Sequence, residues 1–196
     1  MKTFNIKQKE IIEIVNTTAK TEVNLKKEFP HYYYNNVPDL IKREGKFCRK
    51  GDFNLVEMDF IKQLLNEIRY KIEIGHCYHN SQLAVLASDS VLGDTTNKIK
   101  YHEGYFKYEN NDIIQHGWNT LNKKVIDLTA VLGSERAFTT LSFSEIIRRG
   151  EYFGINVGKN FIIDKYLNSK QSISYLFHLN RESVILKRKY NSELLE

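Results

Sequence analysis

Ile113-Ile114-Gln115-His116-Gly117-Trp118-Asn119-Thr120-Leu121, then Asn122-Lys123, then Lys124-Val125-Ile126-Asp127-Leu128, is the stretch that decides the fold. Its outer segments are rich in aromatic and β-branched residues and read as strands. Two turn-forming residues between them suffice for a tight antiparallel hairpin. Residues 101–109 share the texture, set apart by Asn110-Asn111-Asp112. Upstream the periodicity is helical. Ile11, Ile12 and Val15 mark a helix over 6–20, and a second runs from near Asp39 to Gly45. Phe60, Ile61, Leu64, Leu65 and Ile68 mark a third over 57–70, and a fourth follows over 77–88. Residues 29–38, which hold both prolines, and the polar run 89–100 read as loops. Downstream, Ser142-Phe143-Ser144-Glu145 has the form of a capping box and opens a short helix ending near Gly150. Residues 151–157 read as a strand, 160–167 and 172–179 as terminal helices, and 181–196 as a charged tail. A helix-rich first half followed by antiparallel strands argues for an α+β domain, N-terminal helices packed on an antiparallel sheet, rather than an alternating fold. No repeat or linker divides the chain, so 1–196 reads as one domain.

Composition narrows the function. At 41% hydrophobic residues and a net charge of +5, the chain belongs with globular proteins. Basic residues mostly alternate with acidic ones on helix faces, which speaks against nucleic-acid binding. The first residues run into charge before any apolar stretch develops, and no segment approaches the roughly 20 apolar residues of a membrane span. A cytoplasmic location without membrane attachment is expected. Cys48 and Cys77 form no disulfide framework and no Cys-x-x-Cys zinc pattern.

Gly75-His76-Cys77-Tyr78-His79-Asn80 places Cys77 at the start of a helix. Thiol catalysis needs the thiolate, while free cysteine titrates near ~8.5. A helix N-terminus and a neighbouring imidazolium both favour the charged form. Gly75 would permit close approach of a substrate backbone. The imidazole must come from elsewhere. Strand alternation puts Ile114, His116, Trp118 and Thr120 on one face, with Trp118 as a shield that strengthens the hydrogen bonds of His116. On the next strand Asp127 shares a face with Val125 and falls near the register of His116 or Trp118. From there it would accept the Nδ1 proton of His116 and hold its tautomer. Asn119, the rival partner, points to the opposite face.

Other residues carry weaker arguments. His76 and His79, with His102, His116 or Cys48, contain zinc-ligand types but lack the paired spacing of a structural site, so no metal is expected. No cofactor motif is present and none is expected. Tyr101-His102-Glu103-Gly104-Tyr105 either borders the substrate cleft, with Tyr105 as a contact, or packs as an ordinary strand. Asn80 either orients the nucleophile's surroundings or faces solvent. Tyr32, Tyr33 and Tyr34 either line a cleft or pack on the core, Tyr152-Phe153-Gly154-Ile155 reads as a core strand, and His31 and His178 carry no spacing argument.

Cysteine at a helix start, histidine on a later strand in His-Gly-Trp, and aspartate next in Val-Ile-Asp-Leu-Thr resemble the transglutaminase-like branch of the papain-like cysteine enzymes. The likeness covers about residues 75–129. It implies a papain-like core with Cys77 as nucleophile, His116 as general base and acid, Asp127 as orienting residue and the Cys77 N–H as an oxyanion donor. The glutamine that papain-type enzymes carry before the cysteine has no counterpart, since Tyr70 and Lys71 occupy that region. The implied function is a thiol hydrolase, a protease or amidase forming an acyl-thioester on a peptide, protein or small amide or acyl substrate. With an amine acceptor the same triad gives an acyltransferase or transglutaminase. A binding module that keeps the fold without the chemistry, and a zinc-dependent hydrolase, are the readings from other classes.

Overall fold

The structure is a computed structural model that describes residues 4–30, 32–92, 99–109, 112–136, 142–169 and 174–176. Among them the fold is α+β. Five antiparallel strands, β1 (Lys46–Phe47), β2 (Ile99–Tyr108), β3 (Ile113–Leu121), β4 (Lys124–Ile126) and β5 (Gly150–Val157), form one sheet in the order β1-β5-β2-β3-β4. The helices are α1 (Ile6–Thr21), α2 (Leu25–Glu28), α3 (Val37–Glu44), α4 (Leu55–Ile68), α5 (Cys77–Leu92), α6 (Leu128–Arg136), α7 (Phe143–Arg149) and α8 (Lys159–Ser169).

Capping explains where several helices begin. Asn5 and Asn54 each form a reciprocal capping box, with Gln8 and Glu57 three residues on. Asn36 caps α3, and Pro38 sits in its first turn, where a missing N–H costs nothing. The helix therefore starts at Val37 inside the expected 29–38 loop. Ser142 and Glu145 close the expected box at α7. The expected 89–100 loop is shorter, because α5 continues to Leu92 and β2 begins at Ile99, leaving 93–98 outside the described residues. His31, His178, the 181–196 tail and all of the expected 172–179 helix except 174–176 also lie outside them.

The hairpin forms as the sequence implies. Asn122 and Lys123 both adopt positive φ (50° and 67°), the geometry that matches the strand twist in a two-residue turn. The strand after it ends earlier than expected. Ile126 is its last residue, and Leu128 opens α6, an element the strand pattern concealed. β1 was also unforeseen: two residues of the helical half join the sheet, Lys46 opposite Gly154 and Phe47 opposite Phe153.

Alternation sorts the two faces of the sheet. Tyr101, Tyr105, Phe153, Ile155 and Val157 pack under Ile11 and Val15 of α1, Leu40 and Ile41 of α3, and Val85 of α5. Phe60, Ile61, Leu64 and Ile68 of α4 join Ala84 of α5, Ile99 and Leu121. The opposite face carries Phe106, Trp118, Val125 and Tyr152 beneath Ile147 of α7. Of the three tyrosines, Tyr32 and Tyr34 are buried and Tyr33 is exposed; the Tyr34 hydroxyl donates to Glu44. Among the described residues no helix is long and apolar enough to cross a membrane.

Candidate active site

The first turn of α5 lies directly on β3, and Gly117 is what lets it do so. A Cβ at position 117 would sit 2.9 Å from Tyr78 Cδ1 and 3.2 Å from Tyr78 Cα. Two buried hydrogen bonds hold this contact: Ser81 Oγ donates to the Gly117 carbonyl (3.0 Å), and Asn119 Nδ2 donates to the Ser81 carbonyl (2.9 Å). Asn119 thus belongs to the α5 face, as alternation implies. The loop entering α5 is tied by Asn80. Its side chain accepts from the Glu73 N–H (3.0 Å) and donates to the Glu73 carbonyl (2.7 Å) and to Thr129 Oγ1 (2.9 Å). Asn80 is therefore fully buried and orients the loop, and the solvent-facing alternative is excluded. Gly75 has φ +84°, and no atom lies within 4 Å of where its Cβ would be, so the turn opens to space beside Cys77. Cys77 is the first residue of α5, at the positive end of the helix dipole.

The Cys77 thiol adjoins the His116 ring. On the far side of the ring, His116 Nε2 is 2.8 Å from Asp127 Oδ2, with the imidazole 5% exposed and the aspartate fully buried. Two expectations are corrected here. The nitrogen that meets the carboxylate is Nε2 and not Nδ1, which leaves Nδ1 for Cys77. Asp127 is not a strand residue: it lies one position past β4 and caps α6, Oδ1 accepting from the Ala130 N–H (3.0 Å) and the carbonyl from Val131 (3.1 Å). A hairpin register alone would have let the carboxylate turn with the strand. The cap fixes it instead.

The charges follow from this placement. Burial by itself would push His116 toward its neutral form. The charge and hydrogen bond of Asp127, with Cys77 adding to them, outweigh burial and raise it to about 10. Burial works against ionised Asp127 too, yet His116, the Ala130 N–H and the Tyr152 hydroxyl hold its carboxyl below the ordinary range. Trp118 is fully buried and stacks near-parallel on His116, ring centres 6.3 Å apart, while Phe106 lies 5.0 Å from the imidazole. Water is thereby kept from the buried side of the ring.

Tyr105 stands apart from this cluster. It is buried under α1, on the sheet face opposite His116, with its hydroxyl 3.3 Å from Thr18 Oγ1. The histidines considered for zinc are dispersed. His76 pairs with Glu73 (3.0 Å), His79 Nε2 lies 3.1 Å from the Lys71 carbonyl, and half-buried His102 lies beside Thr120 and Cys48. Among the described residues no group of three metal-ligating side chains is assembled.

One participant escaped the sequence reading. Tyr152, read as core, donates its hydroxyl to Asp127 Oδ2 (3.0 Å). Only the pairing of β5 with β2, Tyr152 opposite Phe106, brings it to the His116 face, and that pairing has no local signal. Comparison with protein-family models, curated proteins and solved structures finds no match to this chain.

Proposed function

We propose that this protein is a thiol hydrolase of the transglutaminase-like, papain-like type, a protease or amidase working through an acyl-thioester on Cys77. The observation that carries the reading is the line Cys77, His116, Asp127: a thiol at a helix N-terminus beside a shielded imidazole whose far nitrogen is held by a buried carboxylate.

The Cys77 thiolate attacks the substrate carbonyl, forming a C–S bond and an oxyanion. The N–H of Cys77, unpaired within the helix, is one donor for that oxyanion. Collapse breaks the carbonyl bond to the leaving amine or alcohol, which takes its proton from His116 Nδ1. Water then gives a proton back to Nδ1 and attacks the thioester, releasing the acid and the thiolate. An amine in place of that water makes the enzyme an acyltransferase. Throughout, Asp127 holds the ring through Nε2 and balances the imidazolium.

The surroundings favour a chain-like substrate. β4 pairs with β3 only at Asn119, Thr120 and Leu121. The tight turn makes Leu121 and Lys124 a hydrogen-bonded pair, so by alternation Gln115 directs its backbone groups to the outer edge, while the Gly117 carbonyl is already taken by Ser81 Oγ. Ile74, just before the Gly75 turn, and Ile114, on the His116 strand, are exposed and suit apolar substrate side chains.

The test is acylation with p-nitrophenyl acetate followed by intact-mass and peptide analysis. The expected result is one acetyl group on Cys77, absent in Cys77→Ala and strongly reduced in His116→Ala. Its discharge by water, or only by added amine, separates hydrolase from acyltransferase. Equal slow labelling of Cys77 and Cys48 in the wild-type protein would overturn the reading and leave a binding module.

A further inference from the structure

Tyr152 is placed for more than packing. We infer that it is a positioning residue of this site: its hydroxyl, bonded to the Asp127 oxygen that also holds His116, sets how tightly His116 keeps its proton and so the pH range over which the site works. This rests on the thiol-enzyme reading above.

The geometry gives the hydroxyl a defined task. Asp127 has two oxygens and three donors. Oδ1 serves the Ala130 N–H (3.0 Å), while Oδ2 serves both His116 Nε2 (2.8 Å) and the Tyr152 hydroxyl (3.0 Å). Tyr152 is only 1% exposed, and its ring packs on Phe106 (4.7 Å) and Trp118 (5.4 Å). Phenylalanine would fill that space equally well, so the hydroxyl is not needed for volume. A buried O–H given to a carboxylate makes a strong, charge-assisted bond. It also competes: negative charge drawn toward the phenol is withheld from the imidazolium on the same oxygen.

The ionisable groups around Asp127, Tyr152 and the residues they touch can be named element by element. Asp127 meets His116 of β3 and Tyr152 of β5, and Cys77 of α5 adjoins His116; Tyr152 in turn faces Tyr108 of β2 and Cys48 after β1, and Cys48 meets His102 of β2. Burial keeps His102 and Cys48 uncharged near neutrality, pushing one down to about 3 and the other up to about 11. The charge that holds the His116 proton is therefore that of Asp127, with the Tyr152 dipole on the same oxygen.

Removing the hydroxyl leaves Asp127 Oδ2 to His116 alone. His116 then holds its proton more tightly, its deprotonation moves to higher pH, and discharge of the acyl-enzyme, which needs neutral His116, slows. A displacement of about half to one pH unit corresponds to roughly 3- to 10-fold less neutral imidazole at fixed pH.

The experiment compares iodoacetate with iodoacetamide on Cys77 of the full chain, from pH 5 to 11, with Cys48 as internal reference. The anionic reagent is favoured while His116 is positive, and that advantage disappears as the ring deprotonates. In Tyr152→Phe the midpoint of this loss is expected to move up by about half to one unit. In a protein carrying 3-fluorotyrosine at position 152, whose hydroxyl is a stronger donor, it should move down. Activated Cys77 with both midpoints equal to wild type would overturn the inference alone, even if Tyr152→Phe melts earlier, as a purely structural role would allow. Wild-type Cys77 that reacts like Cys48, with no anion preference and no response to His116→Ala, would overturn the underlying reading instead. If Tyr152→Phe fails to fold, the fluorinated protein decides by itself.

Discussion

Two cysteine–histidine pairs flank the same tryptophan, and only one has a carboxylate on its imidazole. His116 stacks on Trp118 at 6.3 Å and adjoins Cys77; His102 stacks on Trp118 at 5.8 Å and lies 3.9 Å, through Nδ1, from Cys48 Sγ. In each case the other nitrogen, Nε2, is held by a third side chain. For His116 it is the Asp127 carboxylate (2.8 Å), for His102 the Thr120 hydroxyl (3.1 Å). The outcomes are opposite. Burial, with a smaller contribution from Lys100, drives His102 down to about 3, whereas the Asp127 charge overcomes burial at His116 and carries it up to about 10. Burial pushes the Cys48 thiol up to about 11. Proximity of thiol and imidazole is common to both pairs. The carboxylate is the difference, and it turns an inert core contact into a candidate catalytic one.

The largest test of this contrast is Asp127→Asn, which makes the first pair resemble the second. The amide keeps the shape, and one orientation still accepts from His116 or from the α6 backbone, but the charge is gone. Acylation of Cys77 at neutral pH is expected to fall by roughly 100- to 10,000-fold, in the range seen when an orienting carboxylate is neutralised. Retention of more than a tenth of the wild-type rate would show that the helix N-terminus alone activates Cys77.

A second difference lies in how each thiol is presented. Cys48 follows an edge strand, whereas Cys77 sits on a helix pressed onto β3 at Gly117. Gly117→Ala should lift the first turn of α5 by a few tenths of an ångström. We expect a stability loss of about 1–3 kcal/mol, typical of overpacking, read by denaturant unfolding. Cys77 acylation should drop roughly 10-fold as the thiol moves off His116, since small misplacements are costly in such sites. An unchanged acylation rate in the folded variant would mean the seat is not what aligns the pair.

The sequence made some of this contrast legible and hid the rest, for identifiable reasons. Local rules located the hairpin at Asn122-Lys123, the capping box at Ser142, Cys77 at a helix start and Asn119 on the face away from His116, because each depends on neighbours within a few residues. Asp127 defeated the strand reading, since Val-Ile-Asp-Leu-Thr alternates like a strand while the same aspartate is a good helix cap. Choosing between them needs the tertiary packing of α6. The approach of Nε2 rather than Nδ1 is a matter of side-chain torsion, set by Trp118 and Phe106 around the ring. β1, Tyr152 and the Cys48–His102 pair all depend on contacts made by distant strands, and no local pattern encodes the order β1-β5-β2-β3-β4.

The charged pair should also mark the stability of the fold with pH. Asp127 has a lowered folded value, so its contribution is present above the unfolded carboxyl value near ~4 and is lost as pH falls through the folded one. His116 is raised, so its contribution is complete below the unfolded value near ~6.5 and is lost as pH rises through about 10. Melting temperature is therefore expected to be highest between about pH 4 and 6.5 in this respect and to decline toward pH 10, a decline that His116→Gln should flatten. Parallel profiles for the two proteins would argue that His116 is not charged in the fold.

The smallest effect is expected from Thr120→Val, and it asks whether the second pair matters to the first. The substitution removes the oxygen that meets the ring nitrogen Nε2 of half-buried His102. Such a loss costs about 1–3 kcal/mol, measurable as a lower denaturation midpoint. Acylation of Cys77 should stay within about 2-fold of wild type, because the energy that sets His116 comes from Asp127 on its far side and not through the shared indole. Should Thr120→Val instead slow Cys77 in step with its loss of stability, Trp118 would be acting as a mechanical link between the pairs. The two sites would then have to be treated as one.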